Sequence, residues 1–138
     1  MTGAEFASAA RTMLGTPFHH QGRVPGIGLD CAGLAVCAAA QCGHTISDRS
    51  GYGRIPAHNL FAQCIAEQCD PIALPDVRPG DLLSFAFRLE PQHVAIVTAI
   101  DPVMLIHALK DAKRVVKNSL DATWQGRLRG VWRLRGMT

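Results

Sequence analysis

Residues 32–42 are apolar around the whole circumference of a helix, and a helix of that kind needs neighbours on every side. Asp30 stands just before the stretch as a good N-cap, and Gly43 follows it as a natural C-terminal stop. The pattern therefore predicts a buried central helix, against which the rest of the chain must pack.

The order of the remaining patterns predicts the fold class. Residues 3–14 have apolar side chains at helical spacing, and residues 58–69 have the pattern of an amphipathic third helix. After Pro71 and Pro75 come runs typical of strands, near 81–87, 93–99, 103–109, 113–118 and 127–134, with a connection at 121–125. Helices followed by strands predict a single α+β domain over residues 1–138, with an antiparallel sheet of about five to six strands.

Composition excludes several classes of protein. A chain of 138 residues can bury a core without disulfides, and its five cysteines are an odd number. The first residues lack the pattern of a secretory signal, and no apolar run approaches a membrane span, so we expect a reduced chain made in the cytoplasm. A net charge of +3 with 6% aromatic residues argues against nucleic-acid binding. The sequence places Arg127, Arg129, Arg133 and Arg135 on one strand face, which we expect to be solvated, although an acidic polymer or a neighbouring protein subunit could bind there.

Cys31 is the candidate nucleophile. It follows a glycine-rich loop over residues 16–30 and opens the apolar helix, where unpaired backbone N–H groups and the helix dipole favour an anion. We therefore expect a lowered pKa for this thiol. A cysteine in an apolar helix is more often an inert small side chain, which is our interpretation of Cys37, Cys42, Cys64 and Cys69.

His93 and His107 are the candidate partners of that thiol, since each lies within a predicted strand. They share a face of the sheet only if the loop around residues 100–102 has an odd length, and would then be cross-strand neighbours about 5–8 Å apart at Cβ. His93 would accept the thiol proton, His107 would fix the tautomer of His93, and the Cys31 N–H would stabilise an oxyanion. A lone strand histidine is more often a core residue. A zinc site is the other alternative, but no C-x-x-C or H-x-x-x-H spacing occurs, so we expect no metal and no cofactor.

Five motifs, in order along the chain, resemble those of the NlpC/P60 cell-wall peptidases. They are residues 14–18, residues 30–34 around the nucleophile, residues 78–82 at the turn into the sheet, residues 92–96 with His93, and residues 106–108 with His107. The resemblance implies a papain-like fold and a Cys31, His93 and His107 catalytic set. It also implies cleavage of peptidoglycan stem peptides, commonly between γ-D-glutamate and a diamino acid.

Residues 19–23 and 52–56 are most similar to the phage and prophage branch of that family, whose members are carried on tail structures. The resemblance thus implies action at the bacterial cell wall as part of a virion or tail-like particle, with tail proteins as partners. Phe18, Asp30, Tyr52 and Arg54 are its candidate substrate-binding residues, although Asp30 is also a simple helix cap. Two departures bear on substrate choice: Phe18 replaces the usual tyrosine, and Ala32 replaces the usual serine.

Two other functions fit the same residues. An acyl-enzyme can be resolved by a nucleophile other than water, which would make the chain an amidase or acyltransferase on the same scaffold. A structural tail protein that has lost activity is the alternative from a different class. Cell-wall digestion with product masses separates all three.

Overall fold

The computed structural model describes residues 1–48, 60–87 and 92–138. Within these residues the helices are α1 (Gly3–Arg11), α2 (Cys31–Gln41), α3 (Leu60–Gln68) and α4 (Ala122–Arg127). The strands are β1 (Arg23–Val24), β2 (Gly28–Leu29), β3 (Cys69–Pro71), β4 (Leu82–Phe85), β5 (His93–Ala99), β6 (Met104–Leu109), β7 (Arg114–Ser119) and β8 (Leu128–Leu134). Helices α1, α2 and α3 precede all of the strands from β3 to β8, as the sequence predicts, and α4 lies between β7 and β8.

Six strands form one antiparallel sheet in the order β3-β8-β4-β5-β6-β7. The α+β class and the strand number are therefore confirmed. Strands β4 to β7 fall within two residues of their predicted bounds. The sequence did not predict the edge strand β3 or the small β1–β2 hairpin inside the predicted loop, because runs of two or three residues carry no periodicity.

Helices α1 and α2 pack on one face of the sheet. Thr2 caps α1 by accepting from the Glu5 N–H at 3.1 Å, and the predicted stripe of Phe6, Ala9, Ala10 and Met13 is buried. Helix α1 ends earlier than predicted, at Arg11. Helix α2 packs through its small residues, while its last two residues, Ala40 and Gln41, are exposed, so it is central but not enclosed on every side.

The other face of the sheet is covered by α4, where the sequence predicts a connection. Asp121 caps this helix by accepting from the Trp124 N–H at 3.0 Å, and Trp124 is buried edge-on against Phe85 at 5.1 Å between ring centroids. The prediction for 121–125 is wrong because one buried indole stabilises a helix that is too short to show helical periodicity. Arg127 consequently ends α4 and does not belong to a strand face.

Arg129 is exposed as expected, but two other arginines of the predicted solvated face are not free. Arg133 forms a bidentate ion pair with the fully buried Asp81, and both N···O distances are 2.8 Å. Arg135 pairs with the exposed Asp70 at 3.0 Å. Two of the four guanidinium groups therefore hold elements together instead of forming a basic surface.

Candidate active site

Asp30 and a loop contact place Cys31 at the first position of α2. The Gly33 N–H donates to Asp30 Oδ1 at 2.7 Å, which confirms the predicted cap. A Cβ on Gly33 would lie 2.0 Å from the carbonyl oxygen of Gly22, so only glycine lets the preceding loop lie against this turn. Arg23 Nη1 reaches the same carboxylate oxygen at 2.9 Å. The carboxylate thus fixes both the start of the helix and the loop beside it.

The Cys31 sulfur lies against the start of β5. The backbone N–H groups of Val94 and Ala32 lie near enough to Sγ to lower its pKa. The Val97 N–H donates toward β4, at Asp81 O, and N–H groups alternate sides along a strand, so the Val94 N–H points away from β4. Pairing of β5 with β6 begins only at Ile96, which leaves that side open for the thiol. The sulfur therefore lies at the peptide bond that joins His93 to Val94.

The pKa of the Cys31 thiol is raised to about 12. Burial is the largest cause and the negative charge of Asp30 is the second, while the two N–H groups and Arg23 act in the opposite direction. The expectation of a lowered pKa is wrong because desolvation outweighs the positive end of the helix. The resting nucleophile is a neutral thiol.

The two histidines lie on one face of the sheet and contact each other. Ile96 pairs with Ile106 and Val97 with Leu105, so odd-numbered residues of β5 and β6 share a face. His93 Nε2 and His107 Nδ1 are 2.7 Å apart, which confirms the contact that the parity argument allowed. This is the face covered by α4, opposite the face on which α1 and α2 pack.

Asn118 on β7 extends this contact to a third side chain, and the sequence analysis missed it. Its Nδ2 donates to the Ser119 carbonyl at 3.0 Å, which turns Oδ1 toward His107 Nε2, where a short hydrogen bond forms. An amide oxygen only accepts, so His107 Nε2 carries the proton. His107 Nδ1 then accepts from His93 Nε2, and the lone pair of His93 is left on Nδ1.

Both imidazoles are neutral in this environment. The pKa of His93 is lowered well below 6.5, chiefly by burial, with smaller contributions from His107 and Arg127. Burial also lowers the pKa of His107, and the hydrogen bond that His107 donates to Asn118 opposes that shift in part. A neutral imidazole with a free Nδ1 lone pair is a general base ready to accept a proton.

Three aromatic side chains surround the histidines. Trp124 is 4.8 Å from His107 and 6.0 Å from His93 between ring centroids, and the partly exposed Phe87 is 5.3 Å from His93. Phe85 closes the inner side at 6.1 Å from His93. The rings exclude water from the imidazoles and explain why burial dominates the pKa of both.

The predicted substrate-binding residues divide into two groups. Phe18 is half-buried against the core that contains α2, and its N–H donates to Lys113 O at 2.9 Å. Asp30 is buried and occupied by the helix cap, the Arg23 ion pair and the Gln21 N–H at 3.0 Å. Tyr52 and Arg54 lie outside the described residues.

All five cysteines are free thiols. Across the described ranges, no three His, Cys, Asp or Glu side chains converge as a metal site would require. In the same part of the chain, no helix has the length and apolar character needed to cross a membrane.

Comparison with known proteins gives one consistent result. The sequence model of the NlpC/P60 family matches residues 15–133. A probable endopeptidase of Corynebacterium glutamicum is 32% identical over 120 residues, which cover 87% of this chain and 49% of the relative. A probable endopeptidase of Mycobacterium tuberculosis is 36% identical over 77 residues, or 56% of this chain and 17% of the relative. The chain thus spans about half the length, or less, of these curated relatives.

Solved structures share the fold. The NlpC/P60 domain of the peptidoglycan hydrolase SagA superposes with a TM-score of 0.69 at 24% identity, covering 95% of this chain and 97% of that one. An NlpC/P60 family protein from Bacillus cereus gives 0.75 at 22% identity, covering 97% of this chain and 40% of the other. At these identities the similarity establishes the architecture alone.

Proposed function

The chain belongs to the NlpC/P60 family, and from that premise we propose that it is a cysteine endopeptidase acting on peptidoglycan stem peptides. The proposed scissile bond joins γ-D-glutamate to a diamino acid. One observation carries the proposal: the hydrogen bonds from Asn118 through His107 to His93 leave a free lone pair on His93 Nδ1, and the Cys31 sulfur lies at the peptide bond following that histidine.

Acylation starts from a neutral pair. Cys31 Sγ attacks the carbonyl carbon of the scissile amide while its proton moves to His93 Nδ1, because a thiol with a pKa of about 12 supplies almost no thiolate at neutral pH. The carbonyl oxygen becomes an oxyanion. The Cys31 N–H, which has no acceptor within α2 because it is the first helical residue, is the candidate donor to that oxygen.

Three proton transfers complete the cycle. The tetrahedral intermediate collapses as His93 gives its proton to the leaving amine, which breaks the C–N bond and leaves a thioester on Cys31. Water then adds to the thioester as His93 Nδ1 removes its proton, and the acid product departs as Sγ regains a proton. His107 keeps the imidazole oriented and accepts from its Nε2–H throughout.

Digestion of purified cell walls and of a synthetic stem peptide, with mass spectrometry of the products, tests this function. We expect two fragments that together gain one water, and none from Cys31→Ala. Cys37→Ala is the matched control, since that thiol lies in the same helix and donates to the Arg23 carbonyl. A folded protein that cleaves neither material, or a Cys31→Ala variant that still cleaves, contradicts the proposal. An amine adduct formed in place of the acid, in the presence of added amine, would support the acyltransferase alternative.

The proposal extends to the biological setting. Action from a phage tail or tail-like particle rests on the sequence resemblance of residues 19–23 and 52–56. Peptide mapping of purified particles from a strain that encodes the chain would detect it among the tail proteins. Its absence from such particles, with activity found elsewhere at the cell wall, contradicts the tail setting and leaves the peptidase intact.

A further inference from the structure

Arg127 holds a cation beside the proposed general base. Its guanidinium carbon is 4.9 Å from the centre of the Trp124 ring and 5.4 Å from that of Phe87. These two rings are the ones that flank His93, at 6.0 and 5.3 Å. Cation–π attraction therefore holds the guanidinium against two rings that each contact the His93 imidazole.

Three arginines of the described residues pair with aspartates, whereas Arg127 has no acidic partner there. Arg23, Arg133 and Arg135 each form an ion pair with an aspartate. Among residues 1–48, 60–87 and 92–138, Arg127 forms no ion pair and its side chain makes no hydrogen bond. Its five donors are thus available at the exposed side of Phe87, a residue that is 42% exposed.

A positive charge beside His93 is unfavourable for catalysis unless a bound group neutralises it. Its charge opposes protonation of His93, the step that activates the thiol. A substrate carboxylate bound to the guanidinium would neutralise that charge when the substrate is in place. Proton transfer to His93 would then become easier only in the presence of a substrate that carries the anion.

We propose that Arg127 is a specificity-determining residue, which binds a carboxylate of the stem peptide adjacent to the scissile amide. The inference rests on the proposed function. The planar guanidinium presents paired N–H donors that match a carboxylate, whereas an amide at the same place offers one acceptor and a competing donor. A γ-linked glutamyl residue retains a free α-carboxylate, and a diamino acid such as diaminopimelate retains one on its own side of the bond. Either group supplies the required chemistry.

Three synthetic stem peptides test the proposal: one with both carboxylates free, one amidated at the glutamyl α-carboxyl, and one amidated on the diamino acid. The wild-type chain should cleave the free peptide about tenfold or more faster, in kcat/KM, than one of the amidated peptides. Whichever amidation reduces the rate identifies the carboxylate. Arg127→Gln should bring the two rates together by slowing the free peptide, while the amidated peptide is cleaved no more slowly than by wild type because the charge that opposes protonation of His93 is gone. Arg127→Lys should retain part of the preference.

Arg129→Gln is the matched control, because Arg129 lies two residues away, is exposed, and donates only to the Gly126 and Leu128 carbonyls. It should keep the full preference. Equal rates of wild type on all three peptides, or an unchanged preference in a folded Arg127→Gln variant, overturn the inference while the peptidase function stands. Cleavage of none of the peptides by the wild type refutes the proposed function instead.

Discussion

Replacing Asn118 by leucine tests the hydrogen-bond chain that fixes the tautomers of both histidines. Asn118 Oδ1 is the acceptor that keeps the proton of His107 on Nε2. Without it, the proton of His107 can move to Nδ1, which would then donate to His93 Nε2 and force the proton of His93 onto Nδ1. That tautomer of His93 cannot accept the thiol proton.

The magnitude follows from the burial of His107, which has no solvent exposure. An unsatisfied buried N–H costs about 1–3 kcal/mol, and the productive tautomer is disfavoured by that amount. We therefore expect kcat/KM of Asn118→Leu to fall roughly 5- to 150-fold. Asn118→Asp keeps an acceptor at the same position and should retain most of the rate. Its negative charge should raise the pKa of His107.

Steady-state hydrolysis of a stem peptide measures these rates, with circular dichroism to confirm folding. Lys117→Leu controls for an added apolar side chain on β7, since Lys117 is exposed and points to the other face of the strand. A folded Asn118→Leu variant with unchanged kcat/KM refutes the tautomer argument. An Asn118→Asp variant as slow as Asn118→Leu refutes it equally, because both acceptors would then be irrelevant.

Four further predictions follow from the same geometry. Cys31→Ala and His93→Ala should each abolish peptide hydrolysis with cooperative unfolding retained, since both belong to one proton-transfer unit; substantial turnover by either would exclude it from that unit. The lowered pKa of His93 keeps the base neutral below pH 6.5, so a pH series of kcat/KM should show its acid limb below that value; a limb at or above 6.5 would contradict a buried neutral base. Arg133→Met should lower the free energy of unfolding in urea by about 3 kcal/mol by leaving buried Asp81 unpaired, whereas no change would show that solvent reaches the carboxylate. Phe18→Tyr should alter the cleavage rate only modestly because the ring packs in the core, and a large gain would show that the missing hydroxyl contacts substrate.

The sequence predicted the parts of this molecule that depend on periodicity. Strand β5 occupies the predicted residues 93–99, and the cap at Asp30 follows from its side chain and position. The contact between His93 and His107 could not be predicted from periodicity alone, because the sequence allowed a loop of odd or even length between β5 and β6. A register shift between Val97 and Ala99 changes the pairing from Ala99 with Met104 to Val97 with Leu105, and this shift puts both histidines on the same face of the sheet.

Asn118 was missed because its role depends on a third strand. Its neighbours Lys117 and Ser119 are also polar, so nothing in the local pattern distinguishes it. Only the register of β6 with β7, which pairs His107 with Val116, brings residue 118 onto the histidine face as a diagonal neighbour. A search for polar residues of matching parity on the strand after His107 would have found it.

The raised pKa of Cys31 and the lowered pKa of His93 have one common cause. Burial disfavours charge on either group, so it destabilises the thiolate–imidazolium pair and leaves thiol and imidazole neutral. The backbone N–H groups of Val94 and Ala32 near the sulfur then act on the charge that develops during attack, because they lower the pKa of the thiol without overcoming burial. Without a bound substrate, such a site holds almost no thiolate that could react with other electrophiles. Its reactivity depends instead on a bound amide whose developing oxyanion makes the proton transfer favourable.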